Sequence, residues 1–304
     1  MFKHVVVVGA GAVGSYYGGF LARGGINVTL IARPAHTEAI RRDGLFLDTL
    51  TFKEAVRISA TTDMEAVKTA DLVLLCVKTL DTVAVARDVA GHMAPDSIMI
   101  SMQNGVDNAE RIEHELGLKV VSAAVYVAAS IPQPGTVKHS GRGDLVIGGP
   151  FPKATLAAVA DMFEKAGIPC RVSETLLFEM WTKLVMNCGY NAISALTGAD
   201  YGTIVEDPTT FELMARIVEE CVVVANAKKI PLDSEDMKDR LRKLGAAMPT
   251  TRSSTQQDIA RGKLTEIDAL NGYIATQGKK LGIATPMNAT LHSLVRLRER
   301  AIER

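Results

Sequence analysis

Residues 4–19, HVVVVGAGAVGSYYGG, restrict the fold of this chain more than any other stretch, because an apolar β-branched run meets three glycines and then a helical pattern. Gly9-x-Gly11-x-x-Gly14 stands directly after a strand-forming run and opens a helix. In that context the first glycine permits a tight turn, the second lets backbone approach a pyrophosphate, and the third lets helix pack on strand. The helix N-terminus adds unpaired N–H groups and a partial positive charge for the phosphates. The stretch therefore predicts a dinucleotide cradle built from Gly9, Ala10, Gly11, Ala12, Val13 and Gly14. Glycines used for helix–strand packing alone are the alternative.

The pattern that follows agrees with this start. Short apolar runs recur at 27–32, 71–77, 97–101 and 120–128, with helical patterns at 12–23, 79–91 and 106–116. Runs of this length with little alternation suit strands buried on both faces. Alternation with helices predicts a Rossmann-type, doubly wound α/β sheet. Between about 126 and 149, closely spaced Gly and Pro predict a hairpin of short strands appended to that sheet, followed by a helix over 153–166 and a short run, PCRV. After 173 the pattern is helical almost to the end, with Asp207-Pro208 and Thr285-Pro286 as helix starts. The expected organisation is a dinucleotide-binding domain over 1–172 and an all-helical substrate domain over 173–304, which fits a length of 304 residues.

Composition removes several function classes. Lys plus Arg (34) balances Asp plus Glu (34), and aromatic residues are 5%, so neither a nucleic-acid surface nor a base-stacking platform is expected. No apolar run reaches the roughly 18 residues of a membrane span. Glycines interrupt the N-terminal apolar run, so it is not read as a signal peptide. Cys76, Cys170, Cys188 and Cys221 are far apart and show no metal-ligand spacing. They read as reduced, mostly buried thiols of a cytoplasmic protein, with no metal site.

Beyond the glycines, the polar positions of interest lie at strand ends and on one helix. The second strand run ends at Arg33, where an NAD site usually carries an acid for the ribose 2′-hydroxyl; the nearest acid here is Glu38. Arg33 instead suits a 2′-phosphate, which predicts NADP(H), although an exposed arginine at a strand end would look the same. Lys78 and Asn104 follow two buried runs at the sheet edge where open α/β sheets bind ligands; each also reads as an ordinary loop residue. In WTKLVMNCGYN (181–191), Lys183, Asn187 and Asn191 recur every fourth residue, which stacks them on one helix face with a drift of about 40° per step. The stripe suits an oxygenated substrate, or a snorkelling lysine with two amides that bond a neighbouring helix. Farther on, RSSTQQDIARGKLTEIDALNGYI holds Ser253, Ser254, Asp258, Glu266, Asp268 and Asn271, of which either serine suits a helix cap.

Taken together, GAGAVGSYYG, VKT, QNGV, GRGDLVIGG, WTKLVMNCGYNAISALTG, SSTQQDIARGKLTEIDALNGYI and GIATPMNATL resemble the ketopantoate reductase family over essentially the whole chain. The resemblance implies NADPH-dependent reduction of 2-dehydropantoate, a 2-keto acid, to pantoate in pantothenate and coenzyme A synthesis. By position it implies Lys183 as general acid, Asn187 and Asn191 as substrate-orienting amides, Ser254 as the carboxylate contact and Glu266 as the active-site glutamate. It also implies Arg33 at the 2′-phosphate, with Lys78 and Asn104 at the cofactor-side and active-site positions. Whether Lys78 touches cofactor or substrate stays open, as does the oligomeric state, a homodimer included. Asp107, in QNGVDN, and the AISALTG segment leave the identity of the keto acid less defined than the chemistry. Two rival readings remain: a β-hydroxyacid or opine-type dehydrogenase with another keto acid, and a non-catalytic NADP(H) sensor. The latter would not need Lys183 together with Glu266.

Overall fold

The computed structural model describes residues 2–302. The chain divides into two compact units at Leu176 and Leu177. The first begins β1 (His4–Val8), α1 (Ala12–Arg23), β2 (Asn27–Ile31), α2 (Pro34–Asp43), β3 (Leu45–Asp48), β4 (Lys53–Val56) and β5 (Ser59–Thr61). It continues with β6 (Leu72–Leu75), α3 (Thr82–His92), β7 (Ile98–Ser101), α4 (Asn108–Leu116), β8 (Val121–Gln133), β9 (Thr136–Gly148), α5 (Lys153–Lys165) and β10 (Cys170–Val172). The second unit holds α6 (Leu176–Thr197), α7 (Tyr201–Glu206), α8 (Pro208–Ala227), α9 (Ser234–Ala247), α10 (Ser254–Ala260), α11 (Asn271–Leu281) and α12 (Pro286–Ile302).

The strands form one sheet in the order β4-β3-β9-β8-β7-β6-β1-β2-β5, with β10 beside β9. From β5 through β8 every pairing is parallel. Successive side chains of a strand point to opposite faces, and β1 shows what that achieves here. Val5 and Val7 enter a core with Tyr17 and Leu21 of α1 and Phe163 of α5. Val6 and Val8 enter a second core with Val89 of α3 and Ile112 of α4. Helices thus cover both faces, which is the doubly wound arrangement that the apolar runs predict. The chain runs from β1 to β2 on one side and returns to β6 on the other, so the order reverses at β1 and β6. Loops at that reversal are where such sheets take ligands.

Two regions differ from the sequence expectation. The appended hairpin is not made of short strands: β8 and β9 have 13 residues each and pair antiparallel, with register shifts after Tyr126, Ala128 and Ser130. Such shifts bend a long ribbon and bring glycine and proline into it without ending it. Residues 34–61 supply α2, the β3–β4 hairpin at the sheet edge and β5, none of which the apolar runs announce. Leu45 and Leu47 of β3 are buried while Phe46 is exposed, and only Val56 of β4 is buried. An edge strand needs no continuous apolar run.

In the second unit, α6 buries Trp181, Leu184, Val185 and Cys188. Each large apolar side chain so buried contributes about 1.5–3 kcal/mol, enough to hold the helix and the polar stripe that interrupts it in a fixed rotation.

Candidate functional site

In the glycine loop the three glycines have different reasons to be glycine. Gly9 has φ +88°, and a Cβ there would lie 2.9 Å from the Val77 nitrogen and 3.0 Å from the Cys76 carbonyl carbon. At Gly14 a Cβ would meet the Gly9 oxygen at 2.7 Å. Both positions are closed by the protein itself. Around Gly11 nothing lies within 4 Å of where a Cβ would stand. Its missing side chain therefore leaves open space beside bare backbone, as the approach of a pyrophosphate requires. No side chain caps α1 and its first turn carries no acid, so the positive end of the helix is left for an anion.

The loop is tied to the end of β2, since Gly9 N and Ala10 N both donate to the Ile31 carbonyl at 3.1 and 2.9 Å. Two residues on, Arg33 is exposed and N-caps α2, with Pro34 in the first turn. Its carbonyl accepts from His36 N and Thr37 N, which fixes the turn while the guanidinium projects from it. Lys78 is exposed at the end of β6, and Asn104 is half-buried beyond β7. The neighbouring side chains draw these two loops together. Thr79 Oγ1 donates to the Asn104 carbonyl at 2.9 Å and Asn108 Nδ2 donates to the same oxygen at 2.7 Å. Gly105, with φ +99°, makes the turn. The glycine loop, Lys78 and Asn104 therefore share one edge of the sheet, because Gly9 itself packs on Cys76 and Val77. Gln103, which sequence reasoning passed over, is buried there; Ser101 Oγ donates to its Oε1 at 2.6 Å, while its Nε2 has no partner.

In the helical unit, Lys183 and Asn187 are half-buried on α6, whereas Asn191 is only 2% exposed. Tyr201 Oη donates to Asn191 Oδ1 at 3.4 Å. Burial raises the Tyr201 phenol far above its ordinary pKa, so it stays protonated as a donor. Its ring stacks on Tyr190 at 4.1 Å, and Tyr190 Oη donates to the Leu241 carbonyl at 2.7 Å. Of the two serines, Ser253 is the buried cap: it accepts from Gln256 N and donates to the Asn191 carbonyl at 3.2 Å. Ser254 is the exposed first residue of α10. Asn271 Nδ2 donates to the Cys188 carbonyl at 3.1 Å. The stretch between them, which contains Ser254 and Glu266, is thus pinned to α6 at both ends, beside Asn191 and beside Asn187.

Glu266 is half-buried and precedes a short 3-10 turn, Ile267–Ala269. Its neighbour Thr265 donates through N and Oγ1 to Glu299 Oε1, each at 2.7 Å, and Arg296 donates to Glu299 Oε2 at 2.8 Å. Asp268 pairs with His292 at 2.6 Å, and that hydrogen bond holds its carboxyl below the usual carboxylate range. Tyr201 and Glu299 are supporting residues that the sequence did not single out. Tyr201 opens a helix like many others, and Glu299 lies in the charged run RLRER, so neither carries a local signal. At the start of α12, Glu220 rather than the Thr285 side chain accepts from Met287 N and Asn288 N.

Among the described residues the four thiols are free, no group of three or more His, Cys, Asp or Glu gathers as metal ligands would, and no helix is long and apolar enough to cross a membrane.

Residues 5–150 match the family model for ketopantoate reductase PanE/ApbA, and residues 175–299 match that of its C-terminal domain. A 2-dehydropantoate 2-reductase of Halobacterium salinarum is 36% identical over 97% of this chain and 99% of its own. The crystal structure of a PanE/ApbA family ketopantoate reductase from Ralstonia eutropha JMP134 superposes with a TM-score of 0.94 at 45% identity, covering 99% of this chain and 100% of the other. A D-mandelate dehydrogenase, solved as a ternary structure with NADH and anilino(oxo)acetate, superposes at 0.92 with 25% identity and 99% coverage of both chains. On these matches, which run from end to end, the chain belongs to the ketopantoate reductase PanE/ApbA family of pyridine-nucleotide-dependent reductases.

Proposed function

We propose that this protein reduces 2-dehydropantoate to pantoate with NADPH. The observation that carries the reading is the α6 stripe, where Lys183 and Asn187 stand half-buried beside the buried Leu184, Val185 and Cys188, with the Ser254–Glu266 segment pinned next to them.

The first unit suits the cofactor. The uncapped start of α1 and the open space at Gly11 fit the pyrophosphate, and Arg33 fits a 2′-phosphate, since no acid stands at the end of β2 to favour a bare ribose. Lys78 and Asn104, on the same edge, would hold the rest of the cofactor. When bound, the reduced nicotinamide supplies a hydride for the keto carbon. As charge develops on the keto oxygen, the Lys183 ammonium hydrogen-bonds it and then donates the proton. General acid catalysis of this kind contributes about 10²–10⁴-fold, beside electrostatic stabilisation of the alkoxide. Asn187 and Asn191 orient the substrate. Because Tyr201 engages Asn191 Oδ1, the amide offers its Nδ2 as a donor to a substrate oxygen. Ser254 donates to the substrate carboxylate, and Glu266 accepts from a substrate hydroxyl or supports the charge on Lys183. Four free thiols, three of them buried, suit a cytoplasmic enzyme.

A second reading, an aromatic 2-keto acid reduced with NADH, is favoured by the likeness to the D-mandelate dehydrogenase. Steady-state rates with 2-dehydropantoate and phenylglyoxylate, each with NADPH and NADH, separate the two. 2-Dehydropantoate with NADPH should give the highest kcat/KM. Arg33→Ala should lower NADPH affinity by roughly 10–100-fold, the worth of one charge-assisted hydrogen bond, and leave NADH affinity unchanged. Preference for phenylglyoxylate with NADH, untouched by Arg33→Ala, would select the second reading.

A further inference from the structure

His36 lies inside the first unit, 8% exposed, with both ring nitrogens engaged. Gly135 N donates to its Nδ1 at 2.9 Å. A backbone N–H can only donate, so Nδ1 is the bare nitrogen and the ring proton sits on Nε2. Nε2 lies 3.0 Å from Ser15 Oγ and donates to it. The single proton of Ser15, which is fully buried, then goes to the Ala10 carbonyl at 3.1 Å. Three hydrogen bonds thus run in one direction from the β8–β9 turn, through α2 and α1, to the backbone of the glycine loop. Both ends are themselves held: Gly135 O accepts from Phe46 N at 2.8 Å, and Ala10 N donates to Ile31 O. His36 also belongs to the Arg33 turn, since its N donates to the Arg33 carbonyl.

We propose that His36 is a positioning residue for nucleotide binding, which fixes the glycine loop through Ser15 and Ala10 against the β8–β9 turn. The inference rests on the reading of that loop as the pyrophosphate site. Burial favours the neutral ring that this sequence of donors requires.

The test measures NADPH and NADH dissociation constants, and KM with kcat, for the unaltered protein and for His36→Gln, His36→Asn and Ser15→Ala. At position 36 a glutamine amide reaches Ser15, whereas an asparagine amide reaches only the Gly135 side. Ser15→Ala removes the link to the loop and leaves His36 on Gly135. His36→Asn and Ser15→Ala should weaken both nucleotides equally, by about tenfold, the worth of one buried hydrogen bond. His36→Gln should stay close to the unaltered protein, and kcat at saturating nucleotide should hold in all three. Equal loss in Gln and Asn variants with Ser15→Ala unaffected would reduce His36 to a packing role and overturn the proposal. Unchanged affinities throughout would overturn it as well, while leaving the nucleotide reading in place. No binding of either nucleotide to the unaltered protein would remove both.

Discussion

The edge of the sheet in the first unit and the α6 face in the second hold their polar groups with different materials. At the sheet edge the key features are backbone: a left-handed Gly9, a bare Gly11, an uncapped helix start and an Asn104 carbonyl gripped by two neighbouring side chains. On α6 they are side chains, and distant segments set their place: Tyr201 bonds the Asn191 amide, while Ser253 and Asn271 bond the main-chain carbonyls of Asn191 and Cys188. A backbone site is specified by a few residues adjacent in sequence. A side-chain site needs partners that only the packed helices bring near. Mutations should therefore act on the two regions in separate currencies, fold stability and nucleotide affinity in one, substrate affinity in the other.

The sharpest break in that comparison is within the glycine loop. Gly9→Ala should destabilise the first unit by about 1–3 kcal/mol, since its φ and its contact with the Cys76–Val77 backbone are both unfavourable. Gly11→Ala should leave the melting temperature nearly unchanged and weaken NADPH by about tenfold or more, because its Cβ meets no protein atom. Melting curves and nucleotide titrations of the two variants check this; parallel losses of stability would remove the ligand-based reason for Gly11. On the helical side, Tyr201→Phe deletes the donor to Asn191 Oδ1. It should raise KM for the keto acid by roughly three- to tenfold with NADPH affinity intact, and a rise in the nucleotide constant instead would merge the two regions. The smallest effect concerns the half-exposed Asp268. Its folded pKa is lowered, so its stabilisation is present above the ordinary value of 3.8 and fades as pH falls through the folded one. Acid melting curves of Asp268→Asn should lose that component and show a flatter decline below about pH 4.

The sequence carried much of the first region because its signals are local. β1, the glycine loop and α1 are contiguous, and the valines of β1 read as buried on both faces because they are. Arg33 was visible as the residue after the second apolar run. The β3–β4 hairpin was not, since Lys53-Glu54-Ala55-Val56 is an edge strand with one buried side chain. The length of β8 and β9 was hidden as well, because bulges carry the ribbon through residues that usually end strands. For α6 the period-four stripe was plain, but the burial of Asn191 and its engagement by Tyr201 depend on a helix ten residues on. The choice between Ser253 and Ser254 as cap needed the position of Ser194 and Asn191, which no spacing encodes. Glu299, 34 residues from Thr265, is another contact that no local pattern announces.

The most direct measurement follows NADPH consumption with 2-dehydropantoate by the unaltered protein and by Lys183→Ala, with NADPH binding titrated in parallel. The role of Lys183 as proton donor predicts turnover by the unaltered protein, a kcat lower by about 10²–10⁴-fold in Lys183→Ala, and equal NADPH affinity in both. Full activity in Lys183→Ala would contradict it, as would an unaltered protein that binds NADPH tightly and does not reduce the keto acid.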